Sequence, residues 1–106
     1  NSAKVFDYAN HAEKYGVKLA LHPDDPPVPK LGDVGRIMIN RENIRKAVYD
    51  IVKSDNLGLC MCQANFHIMG EDLESVIKEF AKKIFFVQSC LFFTFALDYQ
   101  RTMWYN

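Results

Sequence analysis

Leu19-Ala20-Leu21-His22-Pro23-Asp24-Asp25-Pro26-Pro27-Val28-Pro29 is the stretch on which the reading of this chain turns. Its first three residues are apolar and run up to a histidine. Its second half cannot be regular structure, because Pro26, Pro27 and Pro29 lack backbone donors, fix φ and push the residue before each of them out of the helical region. A buried strand therefore runs into a stiff polar loop, with His22 at the junction and the carboxylates of Asp24 and Asp25 close behind. In α/β proteins the C-terminal ends of strands are where ligands and metals are held. A proline-rich turn whose aspartates simply face water is the alternative, and the flanking sequence has to choose between them.

Upstream, residues 2–15 read as a helix. Val5, Tyr8, Ala9 and Ala12 recur at three- and four-residue spacing, Ser2 caps the start, and Gly16 suits the left-handed position after the end. His11 is expected on the surface of this helix. Residues 17–21 then form a short apolar strand. Downstream of the prolines, Gly32-Asp33-Val34-Gly35-Arg36-Ile37-Met38-Ile39 lacks the helix that a phosphate-cradling glycine loop needs, and reads as a flexible loop leading into a short extended piece. Asn40 caps a helix over residues 41–53 with Ile44, Val48, Ile51 and Val52 on its apolar face. Ser54-Asp55-Asn56 breaks that helix. Gly58-Leu59-Cys60-Met61-Cys62-Gln63 follows as a second apolar strand, which ends, like the first, in a metal-capable side chain. Residues 64–70 read as a polar loop, 71–83 as an amphipathic helix with Leu73, Val76, Ile77 and Phe80 on one face, and 84–87 as a third strand.

The order α-β-α-β-α-β, with every strand a continuous apolar run, predicts an α/β fold whose parallel sheet is covered on both faces. Right-handed crossovers put all three strand C-termini on one side. His22 and Cys62 thereby converge, although they lie 40 positions apart. Imidazole and thiolate together suit a borderline divalent ion such as zinc, iron(II), cobalt(II) or manganese better than magnesium or calcium. Two ligands are too few for a catalytic site, and Asp24 and Asp25 are the nearest sources of oxygen ligands. Cys60 is expected to point away from Cys62, into the core.

At 106 residues the chain has the size of one small domain. Lysine plus arginine and aspartate plus glutamate both number 13, so there is no net field to draw in nucleic acid or an anionic membrane. A composition 49% hydrophobic and 25% charged is that of a globular protein. Three cysteines, an odd number with no signal peptide ahead of them, point to thiols in a reducing compartment, the cytoplasm, rather than to a disulfide framework. The chain opens Asn1-Ser2 without a methionine and reads as a segment of something longer.

The residues from Gly16 to Pro29, with Gly35-Arg36-Ile37-Met38, Gly58-Leu59-Cys60-Met61-Cys62-Gln63 and Lys82-Lys83-Ile84-Phe85-Phe86-Val87, closely resemble the signature of the mannonate dehydratase family. The resemblance runs in order from about Tyr8 to Val87. It implies a partial TIM (β/α)8 barrel of the xylose-isomerase-like type, with residues 1–87 as a central part of that barrel. It also implies removal of water from D-mannonate to give 2-keto-3-deoxy-D-gluconate in hexuronate breakdown, with manganese or iron(II) as cofactor. The chemistry is loss of the proton next to the carboxylate and expulsion of the neighbouring hydroxyl, with a metal stabilising the developing charge. The family holds its metal with a histidine, a cysteine, a second histidine and an aspartate. By resemblance the first two are His22 and Cys62, and Arg36 is the candidate to pair with the substrate carboxylate through its planar fork.

One position departs from the family. Directly after Val87, where a histidine ligand is expected, stands Gln88. Residues 88–106 form a divergent apolar tail of the kind produced by a frameshift, a mis-called end or a degraded gene. The almost uninterrupted apolar run from Ile84 to Leu97 is too short for a bilayer span of about 20 residues. An aspartate ligand and the acid–base groups would lie outside the chain, so the isolated chain is expected to be inactive, and its open strand edges to favour a homo-oligomer or self-association. Competing readings are another metal-dependent barrel enzyme, such as a sugar isomerase or an endonuclease acting on abasic DNA, and a non-catalytic product of a truncated gene. The balanced charge disfavours the nucleic-acid version.

Overall fold

The computed structural model describes residues 2–89, so the expectations for the tail beyond Ser89 lie outside the described residues. In chain order the elements are α1 (Ser2–Tyr15), β1 (Leu19–Leu21), β2 (Lys30–Leu31), β3 (Val34–Gly35) and α2 (Arg41–Arg45), which continues as a π-helix over Lys46–Ile51. There follow β4 (Leu57–Cys62), α3 (Gln63–Ile68), α4 (Leu73–Phe80) with a 3-10 turn over Ala81–Lys83, and β5 (Ile84–Gln88). Strands β1, β4 and β5 form a parallel sheet in the order β1-β4-β5, so their C-terminal ends share one edge.

Among the described strands only β4 is buried along its whole length. It has a hydrogen-bonded neighbour on each side, and its alternate residues Leu59 and Met61 pack with Ile44, Val48, Phe66, Val76 and Phe80. The expectation that all three strands are covered on both faces fails for the outer two. Ala20 of β1 is exposed, and in β5 Phe86 and Val87 stand 58% and 52% exposed. The physical reason is position: among the described residues each of these strands has one neighbour, and helices reach only part of its surface.

The β4–β5 register slips once, from Leu59↔Ile84 to Cys60↔Phe86, which leaves Phe85 as the extra residue of a bulge. Gly58 lies against this bulge. A Cβ there would overlap the Lys83 carbonyl oxygen and come within 2.7 Å of the Phe85 ring, so only glycine lets the two strands approach.

Helix α1 is moored to the sheet by polar groups at the lead-in to β4. Ser54 Oγ donates to Glu13 Oε1 at 2.6 Å, Asn56 Nδ2 donates to the Val17 carbonyl at 2.8 Å, and Lys83 Nζ donates to the Ser54 carbonyl at 2.6 Å. Ala9 is buried against Val52 and Leu57, whereas Tyr8 lies 62% exposed and does not join the apolar face assigned to it. His11 is exposed, as expected; the Ser2 cap and the inward Val5 fall on side chains outside the described ones.

Three local readings are corrected. The helix capped by Asn40, whose Oδ1 accepts from the Asn43 N–H, keeps α geometry only to Arg45. The wider π turns that follow rotate Ile51 off the apolar face, where it is 51% exposed. Residues 32–39 do not form a flexible loop: β2 and β3 pair as a hairpin, with Gly32 at φ +59 in its two-residue loop. Residues 64–70 are not a polar loop either, since α3 turns there and buries Asn65 and Phe66.

Candidate functional site

The shared edge of the parallel strands carries the candidate site. His22 directly follows β1, Cys62 ends β4, and Gln88 ends β5. Cys62 and Gln88 are register partners and so project from the same face of the sheet. His22 Nε2 meets Gln88 Oε1 at 2.8 Å. Because β4 separates β1 from β5, this bond arches over the end of the middle strand, on the face that Cys62 shares with Gln88.

The ring of His22 is oriented by its own loop. Nδ1 lies 2.6 Å from the Pro23 carbonyl oxygen, and a carbonyl only accepts, so Nδ1 carries a proton and points it there. Nε2 is left to face Gln88. Metal-binding histidines are commonly held in this way, with one nitrogen donating to a backbone carbonyl and the other turned to the ion. Pro23 is buried, and its backbone carbonyl is the group that fixes the ring.

Cys62 is 2% exposed, and Asn65 Nδ2 donates to its Sγ at 3.4 Å. Asn65 is itself 2% exposed, one turn along α3. An amide N–H aimed at sulfur favours a sulfur that is rich in electrons, as a metal-bound thiolate is. The donor set of imidazole and thiolate, each with an outer partner, thus fits a borderline divalent cation. Among the described residues no group of three or more histidine, cysteine, aspartate and glutamate side chains comes together to hold a metal. The third group beside His22 is an amide.

Asp24 does not supply an oxygen ligand. Its Oδ2 accepts from the Met38 N–H at 2.9 Å, its own N–H donates to the Met38 carbonyl at 2.9 Å, and its Oδ1 pairs with Arg36 Nη2 at 3.2 Å. Arg36 also donates to the Asp25 carbonyl at 3.2 Å. The structure thus brings Arg36 to the loop that follows His22, with its guanidinium committed to that loop. Asp24 and Arg36 line a mainly apolar cleft of about 360 Å³ between the hairpin and the π-helix.

Cys60 does not point away from Cys62. Residues two apart on a strand share a face, so both sulfurs lie on the side of β4 opposite Leu59 and Met61. Cys60 is buried, as expected. Sequence reasoning missed Asn65, which it placed in a polar loop, and the roles of the Pro23 carbonyl and of Gln88 as partners of His22. A side chain amide three residues beyond a strand-end cysteine was the only available signal for the first.

No helix among the described residues is long and apolar enough to cross a membrane. The profile of the family described as D-mannonate dehydratase (UxuA) matches residues 8–94, a stretch that includes His22, Cys62 and Gln88. Mannonate dehydratase from Saccharophagus degradans is 38% identical over 77 residues, 72% of this chain and 19% of that protein. Mannonate dehydratase from Brachyspira hyodysenteriae is 37% identical over 75 residues, 70% of this chain and 21% of its own length. Mannonate dehydratase 2 from Agrobacterium fabrum is 37% identical over 76 residues, covering 71% and 19%. The chain therefore spans about a fifth of the length of the curated relatives it matches. No solved structure matches it. On the family match across most of its length, this chain belongs to the D-mannonate dehydratase family.

Proposed function

We propose that the chain is the central segment, residues 1–87, of a TIM-barrel hydro-lyase that dehydrates D-mannonate to 2-keto-3-deoxy-D-gluconate in cytoplasmic hexuronate breakdown. The observation that carries the reading is the meeting of His22 and Gln88 over the Cys62 end of the sheet. It is supported by the family match and by a parallel sheet of the kind from which such barrels are built.

In this reading His22, through Nε2, and Cys62, through Sγ, hold a manganese or iron(II) ion. Such an ion, when bound, supplies Lewis-acid stabilisation of negative charge that develops on substrate oxygens. The Pro23 carbonyl keeps the His22 proton on Nδ1, and Asn65 steadies the sulfur. Arg36 is the carboxylate-binding candidate: its guanidinium already holds one carboxylate, that of Asp24, and a sugar acid would compete for the same fork. In this reading the isolated chain binds the ion without turning over substrate, because Gln88 stands where the family resemblance places a histidine ligand.

The test is manganese binding by the 106-residue chain, followed by paramagnetic resonance, together with an assay for 2-keto-3-deoxy acid from D-mannonate. Binding that is lost in both His22→Ala and Cys62→Ala, without turnover in any form, is the expected result. Binding indifferent to both substitutions would remove the site, and turnover by the unaltered chain would remove the claim of inactivity.

A further inference from the structure

The contact between His22 and Gln88 is electrostatically unusual. With the Nδ1 proton given to the Pro23 carbonyl, the neutral ring presents a lone pair at Nε2, and the atom facing it at 2.8 Å is the Gln88 carbonyl oxygen, also a lone-pair bearer. Two acceptors facing each other are relieved either by a half-turn of the Gln88 amide, which brings its N–H to Nε2, or by a positive species between them. A proton on Nε2 is one such species. A divalent cation is the other, and the spacing suits it: two ligand atoms at about 2.1 Å from an ion and at right angles to one another lie roughly 3.0 Å apart. The observed separation needs to open by only a few tenths of an ångström.

We propose that Gln88 is a metal ligand through Oε1, so that His22, Cys62 and Gln88 form a nitrogen–sulfur–oxygen trio on three adjacent strand ends; this rests on the His22–Cys62 metal reading above. The topology supports it. Gln88 is the register partner of Cys62, shares its face, and reaches His22 across the strand that carries Cys62. Gln88 is an exposed residue at the end of β5. An amide oxygen is a neutral, hard donor, so the trio should accept manganese or cobalt(II) more readily than a site closed by a third nitrogen or sulfur. Gln88 then replaces a ligand in kind rather than abolishing the site.

The test uses cobalt(II) on the whole chain, with affinity read by calorimetry and sulfur ligation by the near-ultraviolet charge-transfer band of cobalt–thiolate. Gln88→Ala is expected to weaken cobalt binding by roughly ten- to hundredfold while the charge-transfer band survives at saturation. Gln88→Glu, which keeps the shape and adds charge, is expected to bind at least as tightly as the parent, and it guards against misreading an Ala variant that loses its fold. If Gln88→Ala binds cobalt as tightly as the parent or more so, Gln88 merely caps the imidazole and the proposal fails, while the His22–Cys62 reading stands. If the parent chain binds cobalt with no thiolate band, or does not bind it, both fail.

Discussion

His22 Nε2 and Gln88 Oε1, 66 positions apart in sequence, meet at 2.8 Å across the three described strands of the parallel sheet. Strands in a sheet lie about 4.8 Å apart, so two outer strands stand nearly 10 Å from one another. Their end side chains bridge that gap only by leaning over the middle strand from the same face. The bond therefore reports that the strand ends converge on the side where Cys62 lies.

Asn65→Leu tests the support given to Cys62. The replacement fills nearly the same volume but removes the N–H that points at Sγ, together with a buried amide that is otherwise satisfied. A loss of about 1–2 kcal/mol is expected, read as a lower urea midpoint at unchanged slope. An unchanged midpoint would mean that the amide contributes nothing there.

Gly58→Ala tests the close approach of β4 and β5. The added methyl meets a backbone oxygen, which cannot rotate away, as well as the Phe85 ring. Destabilisation of about 3 kcal/mol or more is expected, at the upper end of overpacking effects. A variant that melts with the parent would show that the bulge at Phe85 adjusts freely.

Glu79 ties α4 to both ends of α2. Its carboxylate accepts from Arg45 and from Arg41, and Arg41 also reaches Ser75 Oγ at 2.7 Å. The hydrogen bond from Arg45 is the largest influence and, with that of Arg41, holds the Glu79 carboxyl below its ordinary value of 4.5 against the opposing effect of burial. A depressed acid stabilises the fold fully above its unfolded value, and this contribution fades as pH falls from about 4.5 through the lower folded value. Urea midpoints measured from pH 7 downward should therefore drop in acid. Glu79→Gln should lower stability by about 1 kcal/mol at pH 7, a figure kept small because Arg45 is 44% exposed, and should flatten the acid dependence. A parallel acid decline in both proteins would assign it to other carboxylates.

The exposed apolar residues of β5 make the isolated chain prone to pairing. Phe86 and Val87 lie on a strand that, among the described residues, is bonded on one side only. Sedimentation of the 106-residue chain should show an average mass that rises with concentration. A single sharp monomer across the series would count against open edges.

The sequence disclosed the strands well because each is short, apolar and bounded by breakers such as Gly16, the prolines after His22, and Ser54-Asp55-Asn56. The pairing of strand ends followed from parallel topology, and His22 and Cys62 were legible as residues that end strands. What escaped was contact chemistry. That Asp24 is spent on Arg36 and Met38 depends on a hairpin whose strands are two residues each, too short for periodicity to register. The α3 helix escaped because its six residues span under two turns, and its apolar side is little more than Phe66. The π-helix escaped because a period of 3.6 describes its start and not its end. Gln88 was legible as a departure from the family but not as the partner of His22, since nothing in sequence measures a bond across β4.

The double tie between Asp24 and Met38, reinforced by Arg36, closes residues 24–38 into a ring pinned at its neck. Whatever happens at the far rim, around Gly32 and Asp33, is insulated from His22 by that neck. Lengthening the rim should be inexpensive, since each doubling of a flexible loop adds only about 0.6 kcal/mol. The ring is thus a natural grafting position: a peptide tag or reporter inserted between Gly32 and Asp33 should leave the imidazole where it is, whereas the same insertion one turn earlier, among the prolines, would not.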